Sequence, residues 1–311
     1  MPEVQTLLTA AEAYLFCRGV ARREAKNFYW AFRVLPRPKS DAMCAVYAFM
    51  RRADDISDDE SKPVEERRVE MAAWIAAWRR SREAGDSAAS ADPVFVALGD
   101  AQLRYGIADE LLEALVRGTA MDLEPRRVGA DGLQTYTSFA DLYAYCYLVA
   151  SVVGLVCIRI FGYEDARAEK LAEETGIAFQ LTNVLRDVKE DVERGRVYLP
   201  LDMMAEFGVT TGRVRELAAG APMTVADRAL LAMLGGRAEA YYRSADQLLP
   251  LLHPDSRAAM WVLATIYRRL LGRIRAGGGD VFRMRVRVSA REKLWILSRG
   301  AGLALWYRVR S

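Results

Sequence analysis

Two acidic segments of the sequence combine residue types and spacings that suit metal chemistry. The first, MRRADDISDDE at residues 50–60, has four aspartates and one glutamate within seven positions. Carboxylates four residues apart repel each other on a helix, and a cation bound between them removes that cost. If the segment is helical, one face holds polar side chains at i, i+4, i+7 and i+11, namely Tyr47, Arg51, Asp54 and Asp58.

The second segment, QLTNVLRDVKEDVERGRVYLP at residues 180–200, repeats the pattern with an amide added. The side chains in this segment that could bind a metal offer only oxygen atoms, and no histidine or thiolate is nearby. Such a set of ligands favours Mg²⁺ over softer metals. Arg186 and Arg196 add fixed positive charge beside them. The polar face of the segment, read as a helix, holds Gln180, Asn183, Asp187 and Asp191.

Two such segments predict two carboxylate walls that face each other across a cavity. Mg²⁺ usually joins a few carboxylates to phosphate oxygens, so the predicted ligand is a phosphate ester, most economically a diphosphate. The alternative is that both acidic runs are solvated, with ordinary surface pairs such as Arg186–Glu190 and Lys189–Glu193. The matched spacing of two independent segments favours the metal site. The chain has no EF-hand glycine, no P-loop and no GxGxxG after a strand, so the usual nucleotide-binding devices are missing.

Helical periodicity supplies the elements that would position these walls. Apolar residues recur at three- and four-residue spacing in 41–57, 64–80, 108–123, 139–161, 166–193, 225–250 and 256–275. The proline-, glycine- or small-residue-rich segments at 35–40, 83–93, 124–132 and 276–279 are too short or too little biased to be domain linkers. The sequence therefore predicts one all-α domain over residues 1–311.

The C-terminal region departs from this pattern. VFRMRVRVS at 281–289 alternates apolar and arginine residues, which is the period of a β-strand. Such a strand would be either a solvated basic edge or a basic strip beside an anionic ligand. We expect KLWILSRGAGLALWYRVR at 293–310 to pack as the final helix, and the alternative is that it rests on a membrane surface.

Composition excludes several function classes. The 311-residue chain is 52% hydrophobic and 27% charged, and its net charge of +3 does not indicate a general nucleic-acid binder. Its one histidine, His253, argues against histidine-rich metal sites and against Ser-His or Cys-His catalysis. Four cysteines without CxxC spacing indicate reduced core residues. Since no signal peptide or transmembrane helix is expected, we predict a cytoplasmic protein, with peripheral contact at the inner membrane surface as an option.

Five segments together resemble the squalene/phytoene synthase family. YAFMRRADDISDD and QLTNVLRDVKEDVERGRVYLP are similar to its two aspartate-rich signatures. YAYCYLVASVVGLV at 143–156 resembles its Tyr-Cys-Tyr segment, and KNFYWAFRVLP at 26–36 resembles its N-terminal signature. IYRRLLGRIRAGGGDVFRMRVRVSAREKLW at 266–295 resembles the C-terminal stretch of bacterial members. The resemblance covers about residues 22–296.

This resemblance implies an all-α isoprenoid-synthase bundle around a deep cavity, in which Mg²⁺-dependent enzymes join two prenyl diphosphates head to head. By motif position, the implied metal ligands are Asp54, Asp58, Asn183, Asp187 and Asp191. The implied catalytic residues are Tyr145, near the reacting carbons, and Arg51 and Arg186, on diphosphate. The implied substrate-binding residues are Phe28, Phe32, Tyr47, Gln180, Arg196 and Tyr267. Ordinary helix core is the alternative role for Phe28, Phe32 and Tyr47.

Three products fit such a scaffold. Two C15 farnesyl diphosphates give presqualene diphosphate, which reduction by NADPH carries on to squalene, whereas two C20 geranylgeranyl diphosphates give phytoene. Because DVFRMRVRVS resembles enzymes of the squalene and hopanoid route, we predict C15 substrates, and NADPH only if the reaction proceeds to squalene. Leu148 and Ser151 stand where many members have glycine. Their added bulk is expected to change the chain-length preference or the fate of the intermediate.

Functions of two other classes are the alternatives. A head-to-tail prenyltransferase or terpene cyclase shares the metal chemistry, but its motifs are usually spaced DDxxD and lack the QLTNVLRD frame. A non-catalytic helical interaction protein would have solvated acidic faces that Mg²⁺ and diphosphate do not stabilise. Because prenyl substrates are apolar, we also expect peripheral membrane contact through Arg283, Arg285, Arg287 and the C-terminus.

Overall fold

The computed structural model describes residues 8–83, 92–123 and 132–310, and it is 78% helical. The all-α class predicted from the sequence is confirmed. Two two-residue strands, β1 (Gln134–Thr135) and β2 (Arg196–Val197), pair in parallel. The helices are α1 (Ala10–Glu24), α2 (Lys26–Arg33), α3 (Arg37–Ser57), α4 (Val64–Glu83), α5 (Pro93–Tyr105), α6 (Asp109–Ala120), α7 (Phe139–Cys146), α8 (Val152–Phe161), α9 (Arg167–Arg186), α10 (Val188–Glu193), α11 (Leu201–Glu206), α12 (Thr211–Ala218), α13 (Val225–Leu248), α14 (Pro254–Ala276) and α15 (Ala290–Arg310).

Each segment with apolar helical periodicity contains a helix. The segment at 225–250, for example, is α13, which begins at a capping box formed by Thr224 and Asp227. Sequence reasoning missed α1, whose buried positions are filled by residues such as Ala13, Cys17 and Ala21. Alanine and cysteine stand out less against polar neighbours than leucine or valine, so the periodic signal of α1 is weak.

α9 is the central helix and joins two hydrophobic cores. It packs along α13, and the hydroxyl oxygens of Thr182 and Tyr242 lie 2.9 Å apart between these two helices. One core cluster lies among α1, α3, α5, α6 and α8, and the other among α9–α13 and the nearby part of α14. A third, smaller cluster joins α2, α14 and α15. Residues on α9 can therefore reach a space enclosed by most of the bundle.

The second acidic segment is not one uninterrupted helix. α9 ends at Arg186, and α10 begins at Val188. The backbone hydrogen bonds nevertheless continue across the break, because Asp187 N–H donates to the Asn183 carbonyl at 2.9 Å and Asp191 N–H donates to the Asp187 carbonyl at 2.8 Å. The four-residue spacing predicted for the polar face is thus preserved.

α7 and α8 are joined by a π-helical turn at Tyr147–Ser151. Such a turn holds one residue more than an α-helical turn, and π turns often occur at functional sites. By length and composition alone, the run Phe139–Phe161 could cross a membrane. Its contacts with α3, α6 and α9 explain its apolar composition within the protein.

The predicted strand at 281–289 is wrong. Residues 285–289 have no regular secondary structure, since the sheet in the described ranges consists of β1 and β2 alone and offers them no partner strand. Burial follows the alternation only in part, because Phe282 and Val288 are buried and Arg283 and Arg285 are exposed, but Met284 is 77% exposed. α15 is the final helix, as expected, and it packs on α14. The loops predicted at 83–93 and 124–132 lie almost entirely outside the described residues.

Candidate active site

A cavity of about 510 Å³ lies among α2, α3, α8, α9 and α14 and the π-helical turn. α8 and α9 run antiparallel, since Gly154 lies against Ala172 and Ser151 against Gly176. The C-terminal halves of α3 and α9 therefore line the same end of the cavity. That end is polar and carries side chains of both acidic segments, and the remainder of the wall is mainly apolar.

Nine of the predicted site residues line this one cavity: Phe28, Phe32, Tyr47, Arg51, Asp54, Gln180, Asn183, Arg186 and Tyr267. They come from α2, α3, α9 and α14, so the fold joins segments that are far apart in the sequence. Four more predicted residues, Asp58, Asp187, Asp191 and Arg196, belong to the same two acidic segments without lining the cavity itself. Asp54 from the first acidic segment and Asn183 and Arg186 from the second thus line the same cavity.

The first wall is the C-terminal end of α3. Asp54 is partly buried at the cavity, whereas Asp58, one turn later, is exposed. Asp58 N–H donates to the Asp54 carbonyl at 2.8 Å, so the two aspartates share one side of the helix. Arg51 pairs with Asp55 at 2.5 Å, and its buried Nε has no hydrogen-bond partner within the described ranges. The cavity-lining guanidinium therefore keeps one donor available for an anionic oxygen.

The second wall is neutralised by arginines. Arg186 Nε donates to Asp187 at 2.8 Å, and Arg285 from the irregular C-terminal segment donates to the same carboxylate at 2.7 and 3.0 Å. Arg285 also lies 3.5 Å from Glu190. The Asp187 side chain is only 18% exposed. Arg186 thus bonds the proposed metal ligand rather than Glu190, its partner in the surface-pair alternative.

Asp191 lies one turn beyond Asp187 in a less favourable environment. Burial and, after it, the nearby negative charge of Asp187 raise the pKa of Asp191 to about 7, although Arg196 and Arg194 oppose the shift. Arg196 on β2 is therefore an electrostatic partner of this carboxylate. A cation beside Asp191 would favour its ionised form.

The donors of the second wall fit a hard divalent cation. Asn183 donates from Nδ2 to Gln180 at 3.3 Å, while its Oδ1 is buried and accepts no hydrogen bond from the described part of the chain. Asp187 and Asp191 follow at one and two turns, so amide and carboxylate oxygens stand on one side, as Mg²⁺ requires. Within residues 8–83, 92–123 and 132–310, no three acidic, cysteine or histidine side chains already converge as a metal centre. A metal site formed by these residues stays a prediction.

Aromatic rings form much of the apolar wall. Phe179 stacks on Tyr267 with ring centroids 4.5 Å apart, and Phe28 lies 6.1 Å from Tyr267. Burial raises the pKa of Tyr47 to about 12 and also raises that of Tyr267, so both hydroxyls are neutral at physiological pH. Sequence reasoning missed Phe179, although its position four residues before Asn183 places it on the same helical face.

The far end of the cavity is closed by apolar side chains. Lys39, in the first turn of α3, donates to the Phe161 carbonyl at 2.7 Å, which places Phe161 at the opposite end of α3 from Asp54. Phe161 is 1% exposed, and Met43 and Leu248 line the same cavity. Phe161 was also missed, because only the packing of α8 against α3 reveals that it ends the cavity.

Tyr145 is the predicted catalytic residue that the structure places apart from the cavity wall. Its ring stacks on Tyr198 at 5.0 Å and lies 5.4 Å from Tyr136, and the hydroxyl oxygens of Tyr145 and Tyr198 are 3.4 Å apart. Tyr145 is 7% exposed and belongs to the core around α9 and α13. A direct role for Tyr145 at the reacting carbons stays a prediction.

The two departures from glycine also lie off the cavity wall. Ser151 is fully buried, and its hydroxyl donates to the Glu173 carbonyl at 2.7 Å. A β-carbon at Gly176 would stand 2.5 Å from Ser151 Cα, so α9 approaches the π-helical turn closely here. Leu148 packs into the first core cluster. The cavity is instead lined in this region by Val149, among other residues.

Comparison with known proteins agrees with this arrangement. The model of the squalene/phytoene synthase family matches residues 21–292. The chain belongs to that family. Members of the family transfer prenyl groups, so this chain is a prenyltransferase that joins prenyl diphosphates head to head.

Relatives within the family carry different product names. The chain is 36% identical to a phytoene synthase of Mycobacterium tuberculosis, over 91% of this chain and 88% of that protein. It is 34% identical to a presqualene diphosphate synthase of Rhodopseudomonas palustris, over 90% and 94%. A crystal structure of a dehydrosqualene synthase superposes with a TM-score of 0.78 at 28% identity, over 94% and 96%. The family is thus clear, whereas the prenyl chain length is a separate question.

Proposed function

We propose that the protein condenses two farnesyl diphosphates head to head to presqualene diphosphate, with Mg²⁺ bound by its two acidic walls. The observation that carries this proposal is that Asp54, Asn183 and Arg186 line the polar end of one mainly apolar cavity. A prenyl diphosphate likewise has a charged part and an apolar part, namely a dianionic or trianionic diphosphate head and a hydrocarbon tail. The polar end matches the head, and the aromatic wall matches the tail.

The chemistry assigns separate tasks to the two ends. Bound Mg²⁺ supplies neutralisation of the leaving diphosphate. Arg51 and Arg186 hold that diphosphate through charge-assisted hydrogen bonds while the allylic C–O bond breaks and its electron pair leaves with the diphosphate. The double bond of the second prenyl group then provides the electrons for the new C–C bond, and loss of one proton closes the cyclopropane ring.

The aromatic wall protects the reacting carbons. Phe28, Phe179 and Tyr267 line the apolar space, and aromatic faces stabilise a nearby carbocation. An apolar wall also excludes water that would quench the cation. Because the Tyr267 hydroxyl is neutral, its oxygen does not add a negative charge that would trap the cation.

Cavity length supports C15 substrates. From Asp54 to Met43 the wall runs along eleven residues of α3, which is about 17 Å at roughly 1.5 Å per residue. An extended farnesyl chain is about 14 Å long and an extended geranylgeranyl chain about 19 Å, with C–C bonds of about 1.5 Å in zigzag. A C15 tail therefore fits in extended form between Asp54 and Met43, whereas an extended C20 tail reaches past Met43 toward Phe161.

The second candidate function is phytoene synthesis from two C20 substrates. It is favoured by the 36% identity to a phytoene synthase, which is close to the 34% identity to a presqualene diphosphate synthase. Conversion of the C15 intermediate to squalene would further require hydride from NADPH. These options differ in product, so one assay separates them.

The test is a product assay with purified protein, Mg²⁺ and either prenyl diphosphate, with and without NADPH. Extracts are analysed before and after phosphatase treatment. Presqualene alcohol from the C15 substrate is the expected result, and squalene that appears only with NADPH would extend the reaction by one step. Phytoene from the C20 substrate alone would replace the C15 assignment. A linear head-to-tail or a cyclised product would overturn head-to-head condensation.

A further inference from the structure

The helix α15 is apolar on both sides. Its inner side packs on α14 and buries Ile296, Gly300 and Ala304, which are spaced by four residues. A β-carbon at Gly300 would stand 2.3 Å from Cγ2 of Val262, so the two helices are in very close contact. This contact fixes the rotation of α15 and therefore which residues face outward.

The outward side carries two Leu–Trp pairs. Leu294 and Trp295 are 66% and 50% exposed, and Leu305 and Trp306 are 65% and 47% exposed. The pairs are eleven residues apart, which is about three turns, so they point in the same direction from α15. A helix on the surface of a bundle normally has a polar outer side, and grouped exposed apolar residues indicate an interaction surface.

Basic charge is concentrated in the same region. Residues 281–310 hold eight of the 44 lysines and arginines of the chain but only one of its 41 acidic residues, Glu292. The remainder of the chain therefore has 36 basic and 40 acidic residues and is slightly acidic. Arg283 and Arg291 are exposed, and Arg299 lies over the Trp295 ring at 5.4 Å from its centroid. Basic residues thus share this region with the exposed indoles, and one of them lies over Trp295.

We propose that the outward side of α15 docks the protein on the surface of an anionic lipid bilayer. Indole rings prefer the boundary between headgroups and acyl chains, and leucines beside them enter the acyl region. The surrounding arginines complement phosphate headgroups, as in interfacial amphipathic helices. A second copy of the chain is a poorer occupant, because a two-fold interface through α15 would bring two strongly basic regions together. This inference does not depend on which prenyl diphosphates are joined.

The experiment is co-sedimentation of the full chain with vesicles of phosphatidylcholine, with and without phosphatidylglycerol. Wild type should bind the anionic vesicles more tightly, and added salt should weaken binding. L294S/W295S/L305S/W306S should lower the partition coefficient by at least about tenfold, because the apolar anchor is lost. The matched control, L15S/F16S/L103S/V225S, replaces four exposed apolar residues on α1, α5 and α13 and should bind like wild type.

A milder variant keeps the test decisive if the quadruple variant does not fold. W295F/W306F preserves apolar packing and removes only the two indoles, so brominated lipids should quench its tryptophan fluorescence less than that of wild type. Equal quenching of both proteins, equal vesicle binding of the folded quadruple variant, or no binding of wild type to anionic vesicles would overturn the proposal. So would a wild-type dimer in sedimentation velocity that the quadruple variant loses, since a second copy would then cover α15.

Discussion

The two acidic walls are alike in sequence and different in environment. Asp58 in the first wall is exposed at the end of α3, where water solvates its charge. Asp187 in the second wall is 18% exposed and bonds Arg186 and Arg285. The four-residue spacing of carboxylates therefore does not determine how their repulsion is relieved. In the first wall solvent surrounds Asp58, while Arg51 lies near Asp54 and pairs with Asp55. In the second wall guanidinium groups bond Asp187 directly.

This difference has a consequence for metal binding. At the first wall a cation beside Asp58, which is exposed, displaces mainly solvent. At the second wall a cation beside Asp187 has to share it with Arg186 and compete with Arg285, which is itself 42% exposed and can move into solvent. Substitution of Asp58 in the first wall should thus affect catalysis alone. Substitution of the aspartates in the second wall should affect both catalysis and the stability of the metal-free protein.

The largest expected effect is on catalysis, and it should be common to both walls. D54N and D187N should each lower kcat/KM by about a thousandfold, because charge stabilisation at the leaving diphosphate is lost. The matched control is E193Q, which neutralises an exposed acidic residue at the end of α10 and should stay within about twofold of wild type. Steady-state kinetics with saturating Mg²⁺ measures this. Full activity in either aspartate variant would remove that wall from the site.

The next largest expected effect is on the free energy of unfolding, and it should differ between the two walls. The pKa of Asp191 is about 7 in the fold and about 4 in an unfolded chain. The folded state therefore binds this proton more tightly, so its stabilising contribution is complete below about pH 4 and is lost as the pH rises to about 7.

In EDTA, D191N should be more stable than wild type at pH 8, by up to about 4 kcal/mol, because asparagine cannot ionise. The advantage should shrink toward pH 4.5. D58N, which removes one carboxylate at an exposed position in the first wall, is the matched control for the loss of a charge. Urea unfolding at several pH values is the measurement. Parallel curves for D191N and wild type would contradict the environment assigned to Asp191.

The smallest expected effect tests the competition at the second wall. R285A should raise Mg²⁺ affinity in the absence of substrate by about twofold to fivefold, because a partly exposed ion pair contributes up to about 1 kcal/mol. R283A, on the same segment and 84% exposed, is the control. Titration calorimetry with Mg²⁺ would measure both. Equal affinities for wild type and R285A would show that Arg285 does not compete for Asp187.

Much of this site was predictable because its spacing is local. Asp54 with Asp58, and Asn183 with Asp187, each lie one helical turn apart, and helical periodicity places such pairs on one side without any tertiary information. The same reasoning located α13 and α14, whose apolar patterns are long. Local periodicity also explains why the break at Asp187 did not spoil the prediction, since the backbone hydrogen bonds continue across it.

The remaining features depend on contacts between distant parts of the chain. The alternation at 281–289 predicts a strand, yet a strand needs a partner that no local pattern reveals. Arg285 reaches Asp187 from 98 positions later in the chain, so no local pattern couples them. Phe161 closes the cavity because α8 packs on the start of α3. Tyr145 lies in a tyrosine cluster because Tyr136 and Tyr198 arrive from other segments.

The π-helical turn at Tyr147–Ser151 sets the rotation of α7 relative to α8, and therefore the directions in which their side chains point. Before it, α7 directs Tyr145 into the tyrosine cluster, and after it, α8 directs Val153 into the cavity. Removing one residue from the turn would convert it to an α-helical turn and rotate α7 by about 100° relative to α8. The tyrosine cluster would then face another side of the bundle, and Val149 in the turn would move relative to the part of the cavity wall on α8. The extra residue in the π-helical turn thus fixes the rotation of α7 relative to α8. It thereby allows Tyr145 to pack in the tyrosine cluster while Val153 lines the cavity.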